Sequence, residues 1–144
     1  NKESIYEYGA RAGFWRLHRL FTGAGIPVTI YGVASALARS PEQVDAMQSA
    51  GWEIASHGYR WIDYAAMDED EERRHIRLTC DVIERACGRR PVGWYTGRIS
   101  PNTRRLLRED GGFLYLSDFY NDDLPYWLPG APSEVRTIVP SAMR

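Results

Sequence analysis

The segment Glu53-Ile54-Ala55-Ser56-His57-Gly58-Tyr59-Arg60-Trp61 decides the fold class of this chain. It predicts a short apolar strand that ends on a histidine in a glycine-containing loop, the usual setting for a reactive side chain at the rim of an α/β sheet or barrel. Further along the chain, Gly93-Trp94-Tyr95-Thr96-Gly97-Arg98 has the same strand-then-loop form. Together the two segments predict an enzyme.

Apolar spacing and turn residues divide the whole chain into alternating helices and strands. They predict helices at 10–24, 41–50, 68–87 and 101–110, strands at 28–31, 52–56, 92–95, 113–116 and 135–139, and an aromatic, acidic loop at 118–130. Such alternation is typical of βα units around a parallel sheet, either open or closed. No domain boundary is visible, so we treat 1–144 as a single domain.

Composition excludes several classes of protein. With 144 residues and 44% hydrophobic content, the chain can bury a real core. Its net charge of -1, from 18 basic and 19 acidic residues, gives no reason to expect a nucleic-acid or membrane partner. No apolar run approaches the roughly 20 residues of a membrane span. The first residues do not resemble a signal peptide, so we expect a cytoplasmic protein with a small-molecule substrate.

The two cysteines, Cys80 and Cys87, lie seven residues apart on the longest predicted helix. They share a face with Ile76 and Ile83, which predicts two buried thiols. A disulfide is not expected, because residues two helical turns apart are roughly 10 Å apart.

Polar side chains that follow predicted strands are the candidates for chemistry. His57 could act as a general base, a general acid or a metal ligand, or be an ordinary structural histidine. Arg98 lies in a turn after a strand, where it could bind a carbonyl or carboxylate group or simply face solvent. Asp118, Asn121 and Asp122 follow the next strand, and could bind a polar substrate or form a solvated turn.

Aromatic side chains are unusually frequent in the same loops. The residues concerned are Trp61, Trp94, Tyr95, Tyr120, Tyr126 and Trp127. They predict either a pocket lined by flat surfaces or a cap over the core. His18 and His75 lie mid-helix among charged residues and are predicted to be exposed. No histidine or cysteine spacing typical of a complete zinc site is present.

Three segments resemble the polysaccharide deacetylase (NodB-homology) family. Residues 25–31 resemble its second barrel strand, and residues 50–57 resemble the strand that leads to its metal-binding motif. That motif is a histidine, three other residues and a second histidine. The first histidine falls on His57 and the second on Trp61. The family's Arg-Pro-Pro-Tyr-Gly motif falls on 93–97, with Gly93 in place of the arginine.

These departures resemble one subgroup of the family, the deacetylase-like allantoinases of purine catabolism. The segments that carry the resemblance are 4–9, 57–61, 93–106 and 121–127. The resemblance implies part of a (β/α)7-type distorted barrel with parallel strands, whose first strand and C-terminal part lie outside the chain. It also implies a cyclic amide substrate and hydrolysis without a bound metal. Zinc is the alternative if the protein is a true deacetylase.

The resemblance also implies roles for the candidate residues. His57 would activate water, Arg98 would polarise the carbonyl group, and Trp61 would fill the space of a metal-binding histidine. Asp118, Asn121 and Asp122 would orient His57 or hold a ureido group. The remaining expected contacts to substrate come from Trp94, Tyr95 and Trp127.

Three alternatives to allantoin hydrolysis stay open. One is N-deacetylation of an amino-sugar polymer, and another is a non-catalytic binding module with an aromatic cleft. In the third, the unclosed barrel is inactive alone and its sheet edges favour a homo-oligomer.

Overall fold

A computed structural model describes residues 2–122, 124–128 and 136–137. The helices are Lys2–Tyr8 (α1), a π-helical turn at Gly9–Gly13, Phe14–Gly23 (α2), Ala34–Leu37 (α3), Pro41–Ser49 (α4), Glu69–Cys87 (α5) and Thr103–Asp110 (α6). The strands are Thr29–Gly32 (β1), Glu53–Ser56 (β2), Gly93–Trp94 (β3), Tyr115–Leu116 (β4), Tyr126–Trp127 (β5) and Arg136–Thr137 (β6). Within these ranges, none of the helices is long and apolar enough to cross a membrane.

The strands form one sheet in the order β1-β2-β3-β4-β6-β5. The pairs from β1 to β4, and then β4 with β6, are all parallel, which confirms the predicted α/β class. The last pair, β5 with β6, is antiparallel. The parallel strands end at paired positions, so their carboxyl ends form one rim.

The two faces of the sheet have different roles because side chains alternate along a strand. Ile30, Ile54, Trp94 and Leu116 point to one face, where two hydrophobic clusters fill the space between the sheet and the helices. The opposite face carries polar and aromatic side chains. A sheet with its helical core on one face is the wall of a barrel, whereas a doubly wound sheet is covered on both faces.

Helix α5 forms as the sequence predicts. The Asp68 carboxylate accepts hydrogen bonds from the backbone N–H groups of Asp70 and Glu71, at 3.0 and 3.4 Å, and caps the helix. Gly88 ends it in the left-handed conformation, with φ of +71°. The inner stripe is buried, including both cysteines, which are free thiols as expected.

Several local predictions were wrong. The N-terminal helical region begins at Lys2 and not at residue 10, and the short helix α3 was not predicted. Strand β5 lies within the predicted loop 118–130. Of the predicted strand 135–139, residues 136 and 137 form β6 and the others lie outside the described residues.

Both mid-helix histidines were wrongly predicted to be exposed. His75 is buried against the rings of Tyr59 and Tyr64, and burial lowers its pKa. His18 is half-buried against Trp52, and its Nε2 lies 3.0 Å from the carbonyl oxygen of Ala46. The charged residues next to these histidines in the sequence therefore did not indicate solvent exposure, because aromatic side chains from distant segments cover both rings.

Gly93 makes room for a tyrosine from the neighbouring strand. A Cβ atom at this position would lie 2.0 Å from Cζ of Tyr115. The Tyr115 hydroxyl reaches across β3 and donates to Oε1 of Glu53 at 2.8 Å, while Oε2 of Glu53 accepts from the Thr29 hydroxyl at 2.9 Å. Burial and the nearby Glu53 raise the pKa of Tyr115. The inner face is thus tied together across four strands.

We expect Gly93→Ala to destabilise the complete protein that carries this chain by about 1–3 kcal/mol, because the Tyr115 ring must move. The free energy of unfolding in urea measures this. Gly23→Ala is the matched control, since a Cβ there has nothing within 4 Å. Equal effects of the two substitutions would contradict the close approach of Tyr115.

The buried thiol of Cys80 gives a prediction about pH. Burial raises its pKa from 9.0 to about 12. Iodoacetamide should therefore modify Cys80 in the folded protein at pH 9.0 at least about 100-fold more slowly than in urea. Because the folded-state pKa is raised, the stability contributed by this thiol is complete below pH 9.0 and is lost as pH rises towards about 12. Equal rates of Cys80 modification in the folded and the urea-unfolded protein, measured by mass spectrometry, would contradict the prediction about reactivity.

Candidate active site

His57 lies immediately after β2, at the carboxyl rim of the sheet. Its backbone N–H donates to the carbonyl oxygen of Gly32 at 2.8 Å, which extends the pairing with β1 by one residue. The chain then turns at Gly58, where φ is +75°. A Cβ there would also lie 3.0 Å from the Tyr64 hydroxyl and 3.1 Å from Cγ2 of Thr96. Both conditions favour glycine beside the histidine.

The ring of His57 is held by Tyr95 in two ways. Its Nδ1 lies 2.8 Å from the backbone carbonyl oxygen of Tyr95, and its ring stacks on the Tyr95 ring with centroids 5.3 Å apart and planes 7° apart. A carbonyl oxygen can only accept, so Nδ1 carries the proton. In the neutral ring, Nε2 then has a free lone pair and can accept a proton.

A cavity of about 980 Å³ opens beside His57. The aromatic residues Tyr6 and Trp61 contribute to its wall, with their rings edge to face at 6.5 Å. They are 60% and 67% exposed, so large aromatic surfaces are available to a ligand.

The cavity wall is positively charged. Arg39 and Arg60 line it together with His57, and the described residues of the lining include no aspartate or glutamate. The Arg60 guanidinium lies over the Tyr59 ring at 5.3 Å, and Nε of Arg39 donates to the carbonyl oxygen of Ser35 at 3.0 Å. These contacts hold the two cations at the cavity, where they favour an anionic ligand group.

Below His57, the inner face of the sheet carries hydroxyl groups. Tyr31 and Ser117 share a hydrogen bond of 2.7 Å, and the rings of Tyr31 and Tyr95 lie 5.2 Å apart. Burial raises the pKa of Tyr31, so the hydroxyl stays protonated. These hydroxyl groups can hydrogen bond, and they lie on the inner face of the sheet outside the lining of the His57 cavity.

Asp118 holds the turn that follows β3. Its Oδ1 accepts from the N–H of Gly97 at 2.7 Å, and its Oδ2 accepts from the N–H and hydroxyl of Thr96 at 2.9 and 3.3 Å. The side chain is buried, and burial raises its pKa despite these hydrogen bonds and the nearby His57. The Tyr95 carbonyl is the hydrogen-bond partner of His57, so Asp118 does not orient it directly.

Arg98 follows that turn and is exposed. Gly97, with φ of +75°, precedes it, and the Arg98 carbonyl oxygen accepts from the N–H of Tyr64 at 3.1 Å. The backbone of Arg98 is therefore fixed, while its guanidinium group lies outside the lining of the His57 cavity.

Asn121, Asp122 and Trp127 form a separate exposed region after β4. The Asn121 side-chain oxygen accepts from the Tyr126 hydroxyl at 2.9 Å, and Oδ1 of Asp122 accepts from the N–H of Leu124 at 3.1 Å. Trp127 is 52% exposed. The hydrogen bonds of Asn121 and Asp122 shape their own loop, and none of the three lines the His57 cavity.

The prediction that Trp94 contacts a substrate requires correction. Trp94 is 2% exposed and packs in the core, with its ring edge to face against Phe113 at 5.4 Å. Alternation along β3 explains this, because Trp94 points to the helices and Tyr95 to the inner face.

Sequence reasoning missed part of the site. Tyr6, Arg39 and Arg60 in the cavity wall, and Tyr31 and Ser117 on the inner face of the sheet, were not among the candidates. Period-two alternation along β1 and β4 could have identified Tyr31 and Ser117. Nothing local distinguishes Tyr6 or Arg39 from other helical surface residues.

The sequence profile of the family described as polysaccharide deacetylase matches residues 4–111. The chain belongs to the polysaccharide deacetylase family. A Schizosaccharomyces pombe protein, itself only provisionally named a polysaccharide deacetylase, is 41% identical over 133 residues, which cover 88% of this chain and 42% of that protein.

Two crystal structures in this family's fold are similar to the chain. A probable polysaccharide deacetylase from Pseudomonas aeruginosa PAO1 and Puue allantoinase are each 54% identical, with a TM-score of 0.92. They match 95% and 96% of this chain, which spans 46% of each of them. The predicted fold, part of a (β/α)7-type barrel, is confirmed.

The residues at the family's metal motif do not fit a metal ion. His57 offers one imidazole nitrogen, but Trp61, at the second histidine position, has no lone pair to donate. Among the described residues, no group of three or more histidines, cysteines, aspartates or glutamates could hold a metal ion. We therefore derive no step through a metal.

The tautomer of His57 can be tested directly. In the complete protein, we expect the neutral ring of His57 to carry the proton on Nδ1, because the Tyr95 carbonyl accepts there. His18 is an internal control with the opposite expectation, since its Nε2 faces the Ala46 carbonyl oxygen. Two-bond ¹⁵N–¹H spectra of labelled histidine distinguish the two forms. A proton on Nε2 of His57 would contradict the assignment.

Proposed function

We propose that the complete protein carrying this chain hydrolyses the cyclic amide of allantoin to give allantoate, without a resident metal ion. The composition of the cavity wall beside His57 carries the proposal. There Trp61 takes the place of the family's second metal-binding histidine, and Arg39 and Arg60 supply positive charge. The likeness to Puue allantoinase supports it.

The aromatic part of the wall suits a flat, polar ring. Tyr6 and Trp61 each expose more than half of their surface beside His57. Aromatic faces bind planar heterocycles by stacking, and a small number of polar groups then fixes the orientation. The hydantoin ring of allantoin is planar and has two carbonyl groups, which meets both conditions.

The charge of the wall suits hydrolysis of an amide. Opening a cyclic amide places negative charge on the carbonyl oxygen and ends in a carboxylate, which Arg39 and Arg60 would stabilise. Deacetylation of an amino sugar develops the same charge and releases acetate, but it also leaves an ammonium group on the polymer, which the arginines would repel. The difference between the two reactions therefore lies in the products: allantoate carries its new carboxylate and no ammonium group.

His57 supplies proton transfer in the proposed reaction. Its Nε2 takes a proton from water as the water oxygen attacks the ring carbonyl carbon. The protonated ring then gives that proton to the ring nitrogen as the carbon–nitrogen bond breaks, so one water is consumed and a carboxylic acid forms, which ionises. The Tyr95 carbonyl keeps the histidine in position through both steps.

The remaining candidates take supporting roles in this proposal. For Arg98 to polarise the attacked carbonyl group, its exposed side chain must turn towards the cavity from the loop that Asp118 holds. Asn121, Asp122 and Trp127 lie outside the lining of the cavity, so they contact the ureido tail only if it extends along the rim of the sheet. A cytoplasmic location belongs to the proposal too, because the substrate is a small molecule and not an extracellular polymer.

The decisive assay uses the purified complete protein after dialysis against a chelator. We expect it to convert allantoin to allantoate at a rate that added zinc does not increase. His57→Ala should lower kcat by about 100-fold or more, since it removes the acid–base group. Glu84→Gln, at an exposed position on α5, is the control and should keep full activity.

Other outcomes would favour the alternatives. Turnover of allantoin only after zinc is added would contradict the metal-free part. Release of acetate from N-acetylglucosamine oligomers, with no turnover of allantoin, would favour the deacetylase reaction. Binding of allantoin by calorimetry without turnover would favour a non-catalytic module.

A further inference from the structure

Glu72 is a buried carboxylate that the proposed chemistry does not use. It belongs to the acidic first turn of α5, where a solvated charge run is the simplest expectation, yet it is only 1% exposed. Its two oxygens accept hydrogen bonds from two hydroxyl groups. Oε2 accepts from Ser100, and Oε1 accepts from Thr103.

The hydrogen bonds around these hydroxyls indicate that Glu72 binds as a carboxylate. Oγ of Ser100 accepts from the N–H groups of Asn102 and Thr103, at 2.9 and 3.2 Å, and Oγ1 of Thr103 accepts from the N–H of Ser100 at 2.9 Å. The closest acceptor for each hydroxyl proton is Glu72. Both carboxylate oxygens therefore accept, and the positive N-terminal end of α5 favours the negative charge.

The two hydroxyls lie at one end of the loop that carries Arg98. At the other end, Asp118 holds the N–H groups of Thr96 and Gly97. Glu72 comes from a helix and Asp118 from the end of a strand, so two separate elements fix residues 96–103 through buried carboxylates. Arg98 lies between the two attachments.

Stability alone does not explain a carboxylate at this position. Burying a charged group costs several kcal/mol, and apolar residues of similar size usually serve a core as well or better. A satisfied carboxylate does, however, impose one geometry on the groups that donate to it. That property matters where a loop must present a side chain accurately, since misplacement by about 1 Å can cost a factor of about 100 in rate.

We propose that Glu72 is a positioning residue, which fixes the loop 96–103 so that Arg98 is presented to the substrate. The effect on the loop stands on the structure alone. The effect on turnover rests on the function proposed above.

The test compares Glu72→Gln with Glu84→Gln in the complete protein. Glutamine keeps the size of Glu72 but leaves one hydroxyl without its acceptor, whereas Glu84→Gln makes the same change at an exposed site on the same helix. Hydrogen exchange of the backbone amides in 96–103 should become about tenfold faster or more in Glu72→Gln, with little change elsewhere. Glu84→Gln should leave exchange in the loop unchanged.

Kinetics supply a readout that a merely structural role would not move. We expect Glu72→Gln to lower kcat for allantoin by about tenfold or more with little change in KM, because Arg98 acts on the developing charge. Adding Glu72→Gln to Arg98→Ala should then cause little further loss of kcat, since both substitutions remove the same contribution, that of the Arg98 side chain. Additive losses in the double variant would overturn the role through Arg98.

Hydrogen exchange decides whether Glu72 fixes the loop. Unchanged exchange in 96–103, or faster exchange spread evenly over the chain, would overturn the proposal. If Glu72→Gln does not fold, Thr103→Val and Thr103→Ser replace it, because only valine removes the hydroxyl and only valine should loosen the loop. If the wild-type protein does not hydrolyse allantoin, the proposed function fails, while exchange still decides the role of Glu72.

Discussion

The constraint on which the structure depends is that each strand packs one face against the helices and turns the other face inward. Alternation along the strands then assigns every side chain to one of two roles. Ile54 and Trp94 fill the core, while Tyr31 and Tyr95 line the interior. Because the strands are parallel, their carboxyl ends share a rim, where His57 follows β2 and Tyr95 holds its ring. The location of the candidate site therefore follows from the arrangement of the strands.

Local signals were enough to predict the repeated units. Apolar runs, the Asp68 cap and Gly88 define β2 and α5, because they act within a few residues of chain. The burial of His75 and Glu72 could not be predicted in this way, since it depends on rings and hydroxyl groups from distant segments. Strand β5 escaped prediction for a related reason: two residues in a loop become a strand only because β6 lies beside them.

In the candidate site, too, some features could be predicted from local sequence and others depend on distant segments. His57 was identifiable because a strand end followed by glycine is a local pattern. The group that orients His57 is the backbone carbonyl of Tyr95, and residue types do not indicate which backbone carbonyl will do this. Asp118 was predicted to orient His57 or hold a ureido group, and its hydrogen bonds are instead to Thr96 and Gly97. Both Asp118 and Glu72 accept hydrogen bonds from the loop 96–103, whereas the proposed function assigns proton transfer to His57.

The close approach of Tyr115 to Gly93 couples two positions on neighbouring strands. A Cβ atom at position 93 would overlap the tyrosine ring, so a side chain there requires the ring to move or residue 115 to be smaller. The effects of substitutions at positions 93 and 115 should therefore be non-additive: shortening residue 115 would offset part of the cost of a side chain at position 93.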